Sequence, residues 1–183
     1  LSHPSAREVL NYLKIKNGLE IHYDGDLPGR SGIGSSSSFT VGLLNALYAY
    51  KGQRISPKDL ASQSIHIEQI LLKETVGSQD QTNAAYGGFN SISFNQNKTV
   101  NVKKINISED RLKTFKKHLI MFYSGINRKA DKILGKIKKE KKHNTNYELL
   151  SRLASQFEYE LCEGDLQNTA KILNENWMLK KNL

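Results

Sequence analysis

The sequence is poor in the features that mark secreted and membrane proteins. Cys162 is the single cysteine, so neither an intrachain disulfide nor a structural zinc site of several cysteines can form. No apolar run is long enough to span a bilayer, and residues 1–10 lack the basic and apolar segments of a signal peptide. We therefore expect a protein of the reducing cytoplasm with no membrane partner.

The chain also has fewer acidic residues than basic ones. The chain of 183 residues carries 27 Lys+Arg against 18 Asp+Glu, which gives a formal net charge of +9. Much of the excess lies in residues 128–142, where lysines dominate and aromatic residues are missing. This basic run could bind nucleic acid or attract an anionic sugar phosphate, but it also suits the solvated face of a surface helix.

Hydrophobic periodicity divides the chain into helices and strands in a mixed order. The predicted helices are Ala6–Ile15, Phe39–Tyr50, Pro57–Lys73, a short one within Gly77–Gly88, and three segments after Arg128 that are broken near Asn144 and Gly164. The predicted strands are Leu19–Asp24, Phe89–Phe94, Thr99–Ile107 and Lys117–Tyr123. The second and third of these are joined through residues 95–98, Asn-Gln-Asn-Lys, which predicts a hairpin. Ser5 and Ser56 are the expected N-caps of the first and third helices. Strands and helices alternate too poorly for a doubly wound parallel sheet, so the order indicates an α+β fold.

A glycine- and serine-rich stretch, residues 28–38, joins the first predicted strand to an apolar helix. Its sequence is PGRSGIGSSSS. The glycines let the backbone approach a ligand, and the serines fall in the first helical turn, where free N–H groups and the helix dipole favour an anion. The alternative is a flexible linker that ends in an N-cap serine. No Gly-Lys-Ser/Thr follows, and a serine replaces the third glycine of a dinucleotide fingerprint, so the stretch is neither of those phosphate-binding loops.

Two carboxylates follow this stretch. Glu68 lies inside a predicted helix, and Asp80 lies in a glycine-containing loop twelve residues later. A carboxylate on a rigid helix suits a magnesium ligand, whereas one in a tight loop suits a base that meets a substrate hydroxyl. Taken singly, each residue could also be an ordinary solvated side chain.

Together these motifs resemble those of the GHMP kinases, the family of galactokinase and of the homoserine, mevalonate and phosphomevalonate kinases. PGRSGIGSSSS is similar to the family's second motif, Pro-x3-Gly-Leu-Gly-Ser-Ser-Ala, with Ile33 in place of Leu and Ser37 in place of Ala. The helix glutamate followed by the loop aspartate also matches. GSQDQTNAAYGGFNSISF and LIMFYSGINRKADKIL resemble the sugar-1-kinase branch, with heptose 7-phosphate kinases first and fucokinase-like domains next. The resemblance covers residues 8–180.

The resemblance implies an ATP-dependent transfer of phosphate to the anomeric hydroxyl of a sugar or sugar phosphate, with D-glycero-D-manno-heptose 7-phosphate as the expected acceptor. The residues implied to bind the ATP phosphates through their amides are Gly32, Ile33, Gly34, Ser35, Ser36 and Ser37. Ser36 and Glu68 would ligate Mg²⁺, and Asp80 would act as the base or orient the acceptor hydroxyl. We further predict that Arg128 binds the distal phosphate of the sugar, although it could simply be the first charge of a solvated helix.

The family's first and third motifs are absent from the chain, so we expect it to be the central part of a protein nearly twice as long. The implied architecture is the GHMP kinase fold. Residues 1–108 would be an N-terminal ATP-binding domain, incomplete at its start, and residues 109–183 the beginning of the C-terminal domain. The N-terminal domain of the family shares its topology with ribosomal and translation-factor domains.

The alternative function is therefore a basic nucleic-acid-binding module of that topology. The carboxylates of Glu68 and Asp80 favour the kinase, because a module that binds a phosphate backbone gains nothing from carboxylates beside its anion loop. We accordingly expect ATP and a sugar or sugar phosphate as partners rather than nucleic acid, and we leave open a homodimer.

Overall fold

Helices dominate the part of the chain that the computed structural model describes, which comprises residues 2–16, 18–25, 32–123, 125 and 144–181. These residues form two compact units. The first contains the described residues up to Gly88 together with Tyr123 and Gly125, and the second contains residues 89–122 and 144–181. The mixture of helices with an antiparallel pair of strands confirms the predicted α+β class. The predicted domain boundary at residue 108 stays a prediction.

The first unit consists of helices around one apolar core. Its elements are α1 (Pro4–Tyr12), α2 (Ser35–Tyr50), α3 (Pro57–His66), a π-helical turn (Ile67–Leu71) and α4 (Gln79–Tyr86). The buried apolar side chains of its core are Ala6, Val9, Leu13, Val41, Leu43, Leu44, Leu47, Leu60 and Ile67. Each helix of the unit buries at least one side chain. The burial of side chains between helices, rather than pairing between strands, therefore holds the unit together.

Helix α2 buries one stripe along its length. Ser37, Thr40, Leu44 and Leu47 recur every three or four residues and are all buried, as the 3.6-residue period requires of a single helix face. Ser36 and Ser38 flank Ser37 in sequence but are exposed. The helix therefore carries one of its serines into the core together with its leucines.

Helix α3 begins as the sequence predicts and ends differently. The Ser56 side chain accepts a hydrogen bond from the Asp59 amide, and Pro57 occupies the first turn. The α-helical hydrogen bonds stop at His66, and the chain continues as a π-helical turn in which the Leu72 amide donates to the Ile67 carbonyl at 2.9 Å. A π-helical turn shifts the side chains that follow it around the helix axis, and such turns recur at functional sites.

The second unit pairs a hairpin with helices. Its elements are β1 (Asn90–Phe94), β2 (Val100–Lys104), α5 (Glu109–Lys117), α6 (Asn144–Cys162) and α7 (Leu166–Lys181). The strands pair antiparallel with Ile92 opposite Val102, which confirms the predicted hairpin. The Arg111 guanidinium donates to the carbonyls of Glu160, at 2.8 Å, and Leu161, at 2.6 Å, so a cation satisfies the last turn of α6.

Two expectations for the N-terminal region are wrong. His3, not Ser5, caps α1: its side chain accepts from the Ala6 amide, and Ser5 is buried inside the helix. Residues 19–24 form no strand, because no other described segment pairs with them. The predicted alternation is not reflected in burial, since Glu20 to Asp24 are all exposed.

The predicted strand Lys117–Tyr123 is also wrong. Helix α5 includes Lys117, and residues 119–123 follow as irregular, exposed backbone. Ile120 is 76% exposed and Phe122 is 84% exposed, so the apolar run is not a buried strand. A strand requires a neighbour for its N–H and C=O groups, and no described segment supplies one here.

The predicted break near Gly164 is confirmed, since α6 ends at Cys162 and α7 begins at Leu166. Arg128 and the rest of the basic run at 128–142 lie outside the described residues, as do Pro28 to Ser31 of the glycine- and serine-rich stretch. Within the described ranges, every helix is too short or too polar to cross a membrane.

Candidate active site

The start of α2 has the backbone of an anion-binding loop. Gly32 and Gly34 both adopt left-handed conformations, with φ of 83° and 74°, which side chains other than glycine rarely tolerate. Gly34 is the N-cap, and no side chain caps the helix. The first hydrogen bond of α2 runs from the Ser38 amide to the Gly34 carbonyl at 2.9 Å, so the amides of Ser35 to Ser37 precede the helical hydrogen-bond ladder. Free amides at the positive end of a helix dipole favour a phosphate.

Asp80 lies directly against this loop. A side-chain carbon added at Gly34 would approach the Asp80 Cγ at 3.1 Å and its Oδ2 at 3.2 Å. Gly34 is therefore needed both for its backbone conformation and for the space that the carboxylate occupies. Asp80 itself is exposed in the first turn of α4 and is thus accessible to a molecule in solution.

Glu68 lies in the π-helical turn and is buried, with 1% of its surface exposed. Its Oε2 accepts a hydrogen bond from the Ser37 hydroxyl at 2.8 Å and a second, short one from the Gln81 amide. Burying a charged group is costly unless hydrogen bonds replace its hydration, and these two donors supply that replacement for one oxygen. The network joins α2, the π-helical turn and α4.

The loop between the π-helical turn and α4 is held by Gln69. Its Nε2 donates to the Val76 carbonyl at 3.1 Å, to the Gly77 carbonyl at 3.3 Å and to the Ser78 hydroxyl at 3.2 Å. The Thr82 hydroxyl then donates to the Ser78 carbonyl at 2.7 Å. Hydrogen bonds from side chains thus hold the loop that precedes Asp80 in place, and a functional site requires such support.

The donor set fits a magnesium ion in chemical type. The Glu68 Oε1 is buried and has no hydrogen-bond partner among the described residues, whereas its Oε2 has two. An ionised carboxylate oxygen without a donor is a hard anionic ligand, the kind that Mg²⁺ takes from proteins together with hydroxyls and water. No larger group of metal-ligating side chains is present in the described ranges.

The structure brings some of the predicted residues together and not others. Gly34 and Asp80 are adjacent, and Glu68 lies on the same network as Ser37. Ser36, the predicted magnesium ligand, is exposed, and the structure gives it no contact with Glu68. Its role and those of Gly32, Ile33 and Ser35 stay predictions, as does that of Arg128, which lies outside the described residues.

Two residues of the site were missed by sequence reasoning. Gln81 is fully buried and contacts Glu68, and Gln69 braces the loop that carries Asp80. The sequence contained a signal for Gln81. Gln81 follows Asp80 directly on a short helix, so it must point to a different face, and a buried glutamine beside a buried glutamate is a natural pair of donor and acceptor.

Comparison with known proteins identifies a family for the first part of the chain. Residues 4–88 match the family described as the GHMP kinases N terminal domain. The matched residues are therefore a GHMP kinase N-terminal domain, and they include Gly34, Glu68 and Asp80. A crystal structure of a D-glycero-D-manno-heptose 1-phosphate kinase from Bacteroides thetaiotaomicron superposes on 98% of the chain and 55% of that protein, with a TM-score of 0.67 and 23% identity. This likeness confirms the fold.

Two curated relatives are kinases of small molecules. A D-glycero-alpha-D-manno-heptose 7-phosphate kinase from Campylobacter jejuni is 28% identical over 96% of the chain and 52% of the relative. A homoserine kinase from Clostridium botulinum is 28% identical over 60% of the chain and 34% of the relative. The chain thus spans about half the length of the heptose phosphate kinase. These relatives favour a kinase over the nucleic-acid-binding alternative.

Replacing Gly34 with alanine tests the packing of Asp80, and Gly32 is its matched control. Gly32→Ala introduces the same left-handed strain with no atom within 4 Å of the new carbon, so we expect a loss of about 1–2 kcal/mol in the free energy of unfolding. Gly34→Ala also displaces Asp80, so we expect about 1 kcal/mol more. Urea unfolding measures both. Equal losses would contradict the close approach of Asp80.

Proposed function

We propose that the full-length protein is an ATP- and Mg²⁺-dependent kinase of a sugar or sugar phosphate. The proposed reaction transfers the terminal phosphoryl group of ATP to the anomeric hydroxyl of D-glycero-D-manno-heptose 7-phosphate and yields the 1,7-bisphosphate. The observation that carries the proposal is the accessible Asp80 carboxylate against Gly34, at the start of a helix with uncapped amides. This arrangement brings a proton acceptor to the phosphate-binding end of a helix.

Each part of the site has a proposed task in phosphoryl transfer, which needs positioning and charge stabilisation more than covalent chemistry. The amides of Gly32 to Ser37 bind the ATP phosphates, and Ser36 and Glu68 hold the magnesium ion. Bound Mg²⁺ would neutralise charge on the phosphate oxygens. Asp80 accepts the proton of the acceptor hydroxyl or orients that hydroxyl for attack.

The acceptor is proposed from the relatives. One is named a heptose 7-phosphate kinase and another a heptose 1-phosphate kinase, so both names point to a phosphorylated heptose. The homoserine kinase shares with them only an alcohol acceptor. We also propose that the enzyme works in the cytoplasm, which is supported by the free thiol of Cys162.

The proposed function is tested with the full-length protein, ATP, Mg²⁺ and a panel of heptoses, heptose phosphates, neutral sugars and homoserine. We expect Asp80→Asn to lower kcat by about 10²–10⁴-fold while ATP still binds, because an amide cannot accept the proton. Glu68→Gln should instead weaken the binding of Mg·ATP. Phosphorus NMR of the product identifies the hydroxyl that is phosphorylated.

Three results would contradict parts of this scheme. Absence of transfer to every acceptor would reject the kinase. A product phosphorylated away from the anomeric carbon would reject the proposed position. An Asp80→Asn protein that loses ATP affinity but keeps its turnover would mean that the roles of the two carboxylates are misassigned.

The serines at the start of α2 offer a matched pair. Ser36 and Ser38 are both exposed, but the Ser38 amide already belongs to the helical ladder, one turn beyond the loop. We expect Ser36→Ala to lower kcat at least about 100-fold through the loss of a metal ligand, and Ser38→Ala to have little effect. Neither change should alter the melting temperature substantially. Equal kinetic effects would refute the assignment of Ser36.

Arg128 is proposed to bind the distal phosphate of the acceptor in bidentate fashion, which a lysine cannot do. We expect Arg128→Ala to raise the KM for the 7-phosphorylated heptose at least tenfold, about 1.4 kcal/mol, with little change in the KM for ATP. Steady-state kinetics with each substrate varied in turn measures this. An unchanged KM for the heptose phosphate would remove this role, and better turnover of an unphosphorylated sugar by the unmodified enzyme would shift the substrate to a neutral sugar.

A further inference from the structure

The two oxygens of the Glu68 carboxylate have different surroundings. Oε2 accepts hydrogen bonds from both the Ser37 hydroxyl and the Gln81 amide, whereas Oε1 has no partner among the described residues. Both atoms are shielded from bulk water, since only 1% of the residue is exposed. A buried anionic oxygen without a donor is costly unless a ligand satisfies it. The difference in hydrogen bonding between the two oxygens therefore identifies Oε1 as the one that is free to bind a ligand.

Chemistry fixes the orientation of the Gln81 amide. An ionised carboxylate only accepts hydrogen bonds, so the Gln81 atom that contacts Oε2 must be the nitrogen. The Gln81 Oε1 consequently points elsewhere and finds no donor among the described residues. Gln81 is thus fully buried although its side-chain oxygen has no donor. Because such burial is unfavourable, we infer that the role of this side chain is its N–H contact with Glu68.

Gln81 also adjoins the proposed base. Asp80 precedes it on α4, where consecutive residues point about 100° apart, so one side chain faces the Gly34 loop and the other faces Glu68. A single turn of α4 therefore carries the Asp80 carboxylate and the contact to the Glu68 carboxylate.

We propose that Gln81 is a positioning residue that, with Ser37, holds Glu68 by Oε2 and so presents Oε1 to the divalent cation of the nucleotide complex. The inference rests on the proposed function and deepens it, because it names the residues that orient the metal ligand. Two donors on one oxygen fix the rotation of the carboxylate about its last torsion, which is otherwise broad. An oriented ligand binds the cation without losing that freedom on binding.

The test uses the full-length protein and calorimetric binding of a non-hydrolysable ATP analogue, with and without Mg²⁺. The variants are Gln81→Leu, which has no donor, and Gln81→Glu, which has the shape of glutamine. Asn83→Ala is the control, because Asn83 is exposed on the same helix and has no part in the site. Melting temperatures report on folding.

We expect the unmodified protein and Asn83→Ala to bind the analogue at least tenfold more tightly with Mg²⁺ than without it. Gln81→Leu should lose that gain while its affinity for the metal-free analogue stays unchanged. Gln81→Glu should lose the gain as well, because an ionised carboxylate cannot donate a hydrogen bond to Glu68.

The outcomes separate this inference from the proposed function. If the unmodified protein binds no nucleotide, the kinase proposal fails, and this inference falls with it. If it binds Mg·ATP analogue and Gln81→Leu keeps the full magnesium gain, the kinase stands and the positioning role is wrong. If Gln81→Leu does not fold, Gln81→Glu decides alone: a full magnesium gain in this variant overturns the proposal, and a lost gain with unchanged affinity for the metal-free analogue supports it.

Discussion

The buried carboxylate of Glu68 is the constraint on which the first unit depends. A charge with 1% exposure must find donors inside the protein, and it finds them on the two helices beside its own segment. Ser37 reaches it from the buried stripe of α2, and Gln81 reaches it from the first turn of α4, which packs against α2 and α3. Removing one donor leaves a buried anion short of partners, which costs more than an exposed ion pair contributes. The arrangement of the three segments and the charge are therefore mutually dependent.

Local chemistry made some elements predictable and left others undetermined. Ser56 followed by Pro57 specifies a helix start through a cap and a fixed φ, and residues 95–98 indicate a turn between two strands. The structure confirms both the helix start and the hairpin. Residues 19–24 and 117–123 carried the right alternation or apolarity for strands, but a strand exists only through its neighbour. The sequence of one segment does not contain that information. Lys117, predicted to begin a strand, lies instead in α5. The Ser108 cap, the acidic first turn and the basic last turn of α5 favour the helix over a strand that would have no neighbour.

The candidate site shows the same division between local and nonlocal information. The glycine loop, Glu68 and Asp80 were recognisable because together they resemble the motifs of the GHMP kinases, although each carboxylate alone could be an ordinary solvated side chain. The contact of Ser37 with Glu68 was not recognised, although the spacing of Ser37, Thr40, Leu44 and Leu47 marks Ser37 as inward-facing. Periodicity applied to the serines as well as to the leucines would have found it. The π-helical turn could not have been found this way, since it changes the register of side chains after His66 without any signal in composition.

The different exposures of Asp80 and Glu68 match the tasks proposed for them. A group that takes a proton from a substrate must meet that substrate, and Asp80 is exposed at the start of a short helix. A group that holds a cation is stronger where water is excluded, because electrostatic attraction grows as the local dielectric falls, and Glu68 is buried. Gln81 reconciles these demands, since it ties the buried carboxylate to the backbone turn that carries the exposed one. A shift of α4 would therefore disturb both groups together, so one helical turn, rather than two independent loops, sets the spacing between the proposed proton acceptor and the proposed cation ligand.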